Sequence, residues 1–227
     1  MRRLVPRRDD RASLQHPFDV QNGVDTSGFV GGGDLFTGHQ HDVFNTAYWG
    51  VSPSRARDLL RRWKESLQEH AIEEYTFVDI GCGKGRMMMI ASELQFREVI
   101  GVELNSNLAA IASANSLKWA SGGFARCPLL VQNLDATEIV LPDSPCVIFL
   151  YNPFGAPVLD RLLVRLEQHF AGESGRLDVL YLSPDSEGVF QQHPGFQLVW
   201  QAELPQLEGE QEDVVAPGNQ ACSAYRM

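Results

Sequence analysis

An aspartate followed by three glycines at alternate positions is the stretch of this sequence best suited to ligand chemistry. The stretch follows a short apolar run, precedes a Met-rich segment and reads DIGCGKG from Asp79 to Gly85. Glycines at this spacing allow a sharp turn from a strand into a helix and a close approach of the backbone to a ligand. A carboxylate at the strand end favours a ligand with an ammonium or sulfonium group over a polyphosphate.

Two common phosphate-binding motifs do not fit this stretch. A P-loop requires G-x-x-x-x-G-K-[ST], but Val78 occupies its first glycine position and Gly85 stands where Ser or Thr belongs. A dinucleotide-binding turn requires G-x-G-x-x-G, but its third glycine position is Arg86. The spacing therefore disfavours both kinds of phosphate site.

Polar residues also follow three later apolar runs. Glu103 ends "EVIGVE", Asp135 lies in "NLDA" after a run over residues 129–134, and "YNPFG" (Tyr151–Gly155) closes "CVIFLY". Carboxyl ends of parallel strands meet at one sheet edge, so we expect these residues to lie near Asp79. Asp135 is equally suited to cap the segment after it, and Asn-Pro is also common at ordinary turns.

The elements that must position these residues alternate between strands and helices. Apolar runs without alternation, separated by helical patterns, indicate a parallel sheet covered on both faces. The predicted strands are residues 76–80, 98–103, 129–134, 146–151, 177–182, 195–204 and 220–227. The predicted helices are one that begins at Pro53 and those over residues 86–94, 107–119 and 157–170. No helix separates the last two strands, so the expected fold is α/β, doubly wound, with an antiparallel C-terminal strand pair.

Two regions are expected along the chain. Residues 1–50 combine an arginine-rich arm with a Gly-rich loop over residues 23–42 that suits a lid, and residues 51–227 form one domain. The arm holds five arginines and two aspartates in residues 1–11, and it is either a docking tail or a disordered terminus. The acidic loop over residues 208–213 is interpreted as a solvated connection.

Composition narrows the function classes. The formal net charge of −10 argues against binding to nucleic acid, which needs clustered Lys and Arg. The four cysteines show no C-x-x-C spacing, which favours reduced thiols in a cytoplasmic protein. No apolar run approaches membrane-spanning length, so no membrane partner is expected.

The D-x-G-x-G-x-G stretch resembles the first motif of the class I, seven-strand S-adenosylmethionine-dependent methyltransferases. The resemblance covers roughly residues 50–227, including the closing strand pair, and implies a Rossmann-like sheet and S-adenosylmethionine as cofactor. It also implies that Glu103 accepts hydrogen bonds from the ribose hydroxyls and that Asp135 meets the adenine amino group. The implied cofactor-binding residues are Asp79, Gly81, Cys82, Gly83, Gly85, Glu103, Leu104, Asp135, Ala136 and Asn152.

"YNPFG" resembles the Asn-Pro-Pro-aromatic motif of methyltransferases that act on nitrogen, although it has one proline instead of two. The resemblance implies that Asn152 and Tyr151 position a nitrogen acceptor for in-line methyl transfer without a metal ion. "YWGVSPS", "VDIGCGKGR" and "GVELN" are together similar to small protein-lysine methyltransferases. The implied acceptor is a protein side chain or a small molecule.

Other interpretations stay open at this point. A non-catalytic relative that binds the cofactor would keep the same motif, and a nicotinamide-dependent oxidoreductase is a weaker alternative. The pair His39 and His41 with Asp42 could act as a base or bind a metal, but no third ligand is evident, so no metal is expected. Thr46 or Tyr48 could contact the methionine end of the cofactor, or pack in the core.

Overall fold

The computed structural model describes residues 15–67, 70–172, 175–206 and 218–227. The arginine-rich arm (residues 1–11) and the acidic loop (residues 208–213) lie outside the described residues. Among the described residues, no helix is long and apolar enough to span a membrane.

A seven-stranded sheet forms the centre of the protein, and a separate antiparallel pair lies near the N-terminus. The pair consists of β1 (Phe29–Val30) and β2 (Tyr48–Trp49). The strands of the large sheet are β3 (Thr76–Ile80), β4 (Glu98–Glu103), β5 (Leu129–Asn133), β6 (Cys146–Tyr151), β7 (Leu177–Leu182), β8 (Gln197–Leu204) and β9 (Gln220–Arg226).

The described α-helices mostly connect these strands. They are α1 (Pro17–Asn22), α2 (Pro53–Glu65), α3 (Arg86–Ala91), α4 (Ser106–Ser121) and α5 (Ala156–His169). Local sequence accounts for their starts: Pro53 begins α2, and the Asn105 side chain accepts hydrogen bonds from the first-turn N–H groups of α4. Short 3₁₀ helices cover Gly32–Asp34, Asp42–Phe44, Ile72–Glu74, Ala136–Glu138 and Glu187–Gln192.

The predicted doubly wound fold is confirmed. The strand order is β5-β4-β3-β6-β7-β9-β8, with parallel pairing from β5 to β7 and antiparallel pairing of β9 to both β7 and β8. The chain therefore reverses its direction of travel across the sheet between β3 and β6. Such a reversal opens a crevice at the carboxyl ends of the strands, where ligands bind in open α/β sheets.

Each central strand is buried on both faces, as its continuous apolar sequence predicts. Phe77 and Phe149 point to the face covered by α2, α3 and α4, whereas Val78 and Ile148 point to the face covered by α5. All four side chains have at most 1% exposure. At ~25 cal/mol per Å² of buried apolar surface, each such side chain contributes roughly 2 kcal/mol, which holds the carboxyl ends of these strands in place.

The N-terminal segment, residues 15–51, is more ordered than the predicted loop. It contains α1, the β1–β2 pair and two 3₁₀ helices. The buried Asp19 carboxylate accepts hydrogen bonds from the backbone N–H and hydroxyl groups of both Thr26 and Ser27, at 2.5–2.7 Å. These hydrogen bonds fix the backbone after α1, where no helix or strand is present to do so.

Arg86, at the start of α3, joins this segment to the glycine turn. Its buried guanidinium donates to the Thr26 hydroxyl at 2.6 Å and to the carbonyls of Thr26 and Val51 at 3.1 and 3.2 Å. Gly50 packs against it, since a Cβ at residue 50 would lie 2.6 Å from the guanidinium carbon. Arg86 therefore holds both ends of the β1–β2 region, at Thr26 before β1 and at Val51 after β2.

We predict that Arg86→Met lowers the free energy of unfolding by about 2–4 kcal/mol, because three buried hydrogen bonds are lost and the Thr26 and Val51 acceptors stay buried. Urea unfolding and limited proteolysis near residue 30 measure the effect. Arg57→Met is the matched control, since Arg57 forms an exposed ion pair with Glu93, and it should cost under about 1 kcal/mol. Equal losses in the two variants would contradict the anchoring role.

Candidate functional site

A cleft lies between the carboxyl ends of β3–β6 and the N-terminal segment. The wall from the N-terminal segment consists of Leu35, His41, Asn45, Thr46, Ala47, Tyr48, Trp49, Gly50 and Val51. The wall from the sheet side consists of Asp79, Gly81, Cys82, Arg86, Met87, Val102, Glu103, Leu104, Asn105, Leu108, Leu134, Asp135, Ala136, Phe149, Tyr151, Pro153, Phe154 and Val158.

Asp79 is a buried acid on this wall. Its side chain is 3% exposed, and its Oδ2 atom is buried without a hydrogen-bond partner. Burial, and then the neighbouring Glu103 carboxylate, raise the pKa of Asp79 to about 8. A buried carboxylate with one unpaired oxygen would be stabilised in its charged form by a cation in the cleft.

Glu103 ends β4 beside the glycine turn. Its Oε2 accepts a hydrogen bond from the Gly83 N–H at 2.9 Å, and its Oε1 accepts one from the Asn105 N–H at 2.8 Å. Burial raises the pKa of Glu103 despite these bonds. Each carboxylate oxygen keeps a further lone pair, so the group can accept two more donors, such as a pair of vicinal hydroxyls.

The glycine turn is shaped by two close approaches. Gly81 and Gly83 have positive φ angles of 73° and 55°, which favour glycine. A Cβ at Gly81 would lie 2.6 Å from the Pro153 Cβ, and one at Gly83 would lie 2.2 Å from the Tyr48 ring. Side chains at either position would push the cleft walls apart. Gly83 and Gly85 are not among the lining residues, and Gly85 is instead the N-cap residue of α3.

Asp135 and Ala136 form the opposite end of the cleft. Asp135 caps the 3₁₀ helix after β5, as one interpretation expected: its Oδ1 accepts hydrogen bonds from the Thr137 N–H and hydroxyl. Its Oδ2 accepts one from His41 Nδ1 at 2.7 Å. Although burial raises the pKa of Asp135, the hydrogen bonds from Thr137 and His41 outweigh it and lower that pKa below its ordinary value.

His41 is the histidine of the predicted pair that reaches the cleft. Arg161 Nη1 lies 2.6 Å from His41 Nε2, and because Arg can only donate, Nε2 accepts and Nδ1 carries the proton given to Asp135. His39, His41 and Asp135 lie close enough to hold a metal ion, but this tautomer puts a proton on the nitrogen that a metal would need. Asp42 instead accepts hydrogen bonds from the backbone of its own loop.

An aromatic pair bounds the cleft near Asp79. The Trp49 indole N–H donates to the Tyr151 hydroxyl at 2.7 Å, and the two rings meet edge to face. Gln220 Nε2 donates to the same hydroxyl oxygen at 2.6 Å. Both lone pairs of that oxygen are thus used, and the Tyr151 ring is fixed between the N-terminal segment and β9.

Asn152 is buried but is not among the residues that line the cleft. It has a positive φ of 43°, and its side-chain N–H donates to Asp185 at 2.6 Å while its Oδ1 accepts from the Tyr181 hydroxyl at 3.1 Å. Thr46 bonds the Asn152 carbonyl through its hydroxyl and the Pro153 carbonyl through its N–H. A role for Asn152 in binding stays a prediction.

Among the lining residues, Leu35 and Asn105 were not predicted. Thr46 and Tyr48, predicted as candidates for the cofactor's methionine end, do line the cleft. Pro153 and Phe154 of the "YNPFG" motif, which was expected near Asp79, also line the cleft. Leu35 carried no such signal in the sequence.

We predict that the contribution of Asp79 to the stability of the ligand-free protein falls as pH rises from about 4 to 8, by up to roughly 1.4 kcal/mol per pH unit. Asp79 is protonated in the folded chain and ionised in the unfolded chain over this window, so the folded state holds the extra proton. Asp79→Asn should flatten the slope, whereas Glu93→Gln, at a half-exposed ion pair, should keep it. Urea unfolding at four pH values measures both, and identical slopes would contradict the raised pKa.

No protein-family model and no curated protein sequence matches this chain. Solved structures do match in fold. An S-adenosylmethionine-dependent methyltransferase from Clostridium acetobutylicum is 9% identical with a TM-score of 0.52, over 78% of this chain and 92% of that one. Magnesium protoporphyrin IX methyltransferase from Synechocystis with bound SAM is 9% identical with a TM-score of 0.50, over 75% of each chain.

The tRNA methyltransferase TrmK from B. subtilis is 12% identical with a TM-score of 0.52, over 78% of this chain and 66% of that one. This chain thus spans slightly less than two thirds of TrmK. At such identities the likeness is one of fold. The seven-stranded sheet with its antiparallel closing pair is therefore the Rossmann-like fold of the class I methyltransferases.

Proposed function

We propose that this protein transfers a methyl group from S-adenosylmethionine to a nitrogen atom of an acceptor. The observation that carries the proposal is the buried, unpaired Oδ2 of Asp79 beside Glu103. S-adenosylmethionine carries an ammonium and a sulfonium group, which suit two neighbouring carboxylates. A dinucleotide would bring a pyrophosphate to the same turn, where those carboxylates would repel it.

The cleft residues divide into three binding regions for this cofactor. Asp79, Gly81 and Cys82 would hold the methionine end, with Gly83 and Gly85 shaping the turn behind them. Glu103 would accept the two ribose hydroxyls, next to Leu104. Asp135 and the backbone of Ala136 would contact the adenine. The order of these regions follows the carboxyl ends of β3, β4 and β5, which are neighbours in the sheet.

When bound, the cofactor supplies an activated methyl group: the acceptor's nitrogen lone pair forms the new N–C bond while the C–S bond breaks and its electron pair stays on sulfur. The protein's own contribution is alignment. Tyr151, Pro153 and Trp49 line the cleft, and the Trp49 indole N–H donates to the Tyr151 hydroxyl. Aromatic walls in this position exclude water and hold the acceptor in line, which can lower the barrier by several kcal/mol.

A nitrogen acceptor is supported by the "YNPFG" loop after β6. Tyr151 lines the cleft, and we assign it to the positioning of the acceptor. We assign Asn152 the same role with one condition. In this structure the Asn152 side-chain amide donates a hydrogen bond to Asp185, and that bond must break before the amide can contact an acceptor. The assignment of residues 1–50 as an arm and lid, and of residues 51–227 as the catalytic domain, belongs to the same proposal.

The acceptor class is a protein side chain or a small molecule. TrmK acts on tRNA according to its name, but a chain with a net charge of −10 is poorly suited to a phosphate backbone. The four cysteines are free thiols, which supports a reducing compartment such as the cytoplasm.

We predict that calorimetry detects S-adenosylmethionine binding to the wild type, and that Asp79→Asn and Glu103→Gln each weaken it at least about tenfold through the loss of a charge-assisted contact. Wild-type affinity should rise from pH 6 to pH 8 as Asp79 loses its proton, and Asp79→Asn should lose this dependence. Glu93→Gln is the matched control and should bind normally. Binding of NADH in place of S-adenosylmethionine would overturn the proposal in favour of an oxidoreductase.

Transfer itself is tested with methyl-labelled cofactor in a cell lysate, with and without ribonuclease. Label that enters a base-stable product with wild type, and not with Asp79→Asn, supports methyl transfer, and release of the label as N-methylated products on hydrolysis supports a nitrogen acceptor. Base-labile label indicates a carboxyl ester instead, and loss of label after ribonuclease indicates an RNA acceptor. Cofactor binding without any labelled product would favour a non-catalytic relative.

A further inference from the structure

We propose that His41 is a positioning residue that orients Asp135 so that the cleft selects a purine with an amino group at position 6. His41 lies in the N-terminal segment and Asp135 follows β5, so the contact joins parts of the chain that are far apart in sequence. The inference rests on the proposed function and adds a specificity-determining role for a residue outside the sheet.

Asp135 has its hydrogen-bonding capacity almost fully used within the described part of the chain. A carboxylate oxygen accepts about two hydrogen bonds. Thr137 fills Oδ1 with its N–H at 2.8 Å and its hydroxyl. His41 Nδ1–H donates to Oδ2 at 2.7 Å and takes one of its two acceptor sites. His39 Nδ1 lies 3.6 Å from Oδ2, which is beyond hydrogen-bond distance. One acceptor site on Oδ2 is left for a ligand.

The hydrogen bond from His41 is itself fixed by Arg161. Arg161 of α5 donates to His41 Nε2 at 2.6 Å, which leaves Nδ1 as the protonated nitrogen. The imidazole is 4% exposed and contacts Phe44, so its ring has little freedom to turn. The chain Arg161 to His41 to Asp135 therefore fixes both the direction of the carboxylate and its role as an acceptor.

An acceptor held in this way distinguishes two related bases. Adenine presents an N–H donor at position 6, which can fill the remaining site of Asp135. Hypoxanthine presents a carbonyl oxygen there, which would face a carboxylate lone pair and be repelled. Without His41, the Oδ2 atom has two open sites and the carboxylate is held only by the Thr137 bonds to Oδ1, so the preference for the amino group should weaken.

The test measures the ratio of dissociation constants of S-inosylhomocysteine and S-adenosylhomocysteine by calorimetry. His41→Asn keeps an N–H donor at the position of Nδ1, whereas His41→Gln extends toward Arg161 and does not keep that donor. His39→Asn is the matched control. The His39 Nδ1 atom accepts a hydrogen bond from the backbone N–H of His41 at 3.2 Å, and the Asn side-chain oxygen can accept the same bond.

We expect the wild type, His41→Asn and His39→Asn to prefer the 6-amino ligand, and His41→Gln to lose about tenfold of that preference, the worth of one charge-assisted hydrogen bond. An unchanged ratio in His41→Gln, or equal losses in both His41 variants, would overturn the positioning role. If the wild type bound neither ligand, the proposed function itself would fail. If it bound both ligands equally well, the proposed function would stand and the positioning role would be overturned.

Discussion

The burial of a carboxylate with one unpaired oxygen, near the end of β3, is the constraint on which the site depends. Asp79 lies on β3, with β4 and β6 as neighbours, and its Oδ2 is removed from water without a hydrogen bond in return. Burial and the nearby Glu103 make its charged form costly, so the ligand-free protein holds a proton there. A cationic ligand reverses that balance, and the glycine turn leaves the space for it.

The N-terminal segment completes the cleft instead of merely preceding the domain. It is held at the glycine turn by Arg86, at Asp135 by His41 and at the loop after β6 by Thr46. Each contact joins it to a residue at a different strand end. The segment therefore contacts the same edge of the sheet that lines the cleft.

The sequence predicted the sheet well, because its strands are apolar runs that turn residues interrupt. β3, β4, β6 and β7 have their predicted limits. The order of the N-terminal segment could not be predicted, since it comes from hydrogen bonds of Asp19 and Arg86 to distant backbone groups and not from any periodicity. The partners of Asp135 and Asn152 were equally hidden, since His41 and Asp185 reach them only in the folded chain.

A crystal structure of the complex with S-adenosylmethionine is the most direct measurement of this account. We expect the cofactor's amino group to lie within hydrogen-bond distance of Asp79 Oδ2, its ribose hydroxyls to bond Glu103, and its adenine to lie beside Asp135. A cofactor whose amino group points away from Asp79, or a phosphate-bearing ligand at the glycine turn, would contradict the claim that the unpaired carboxylate is the cation site.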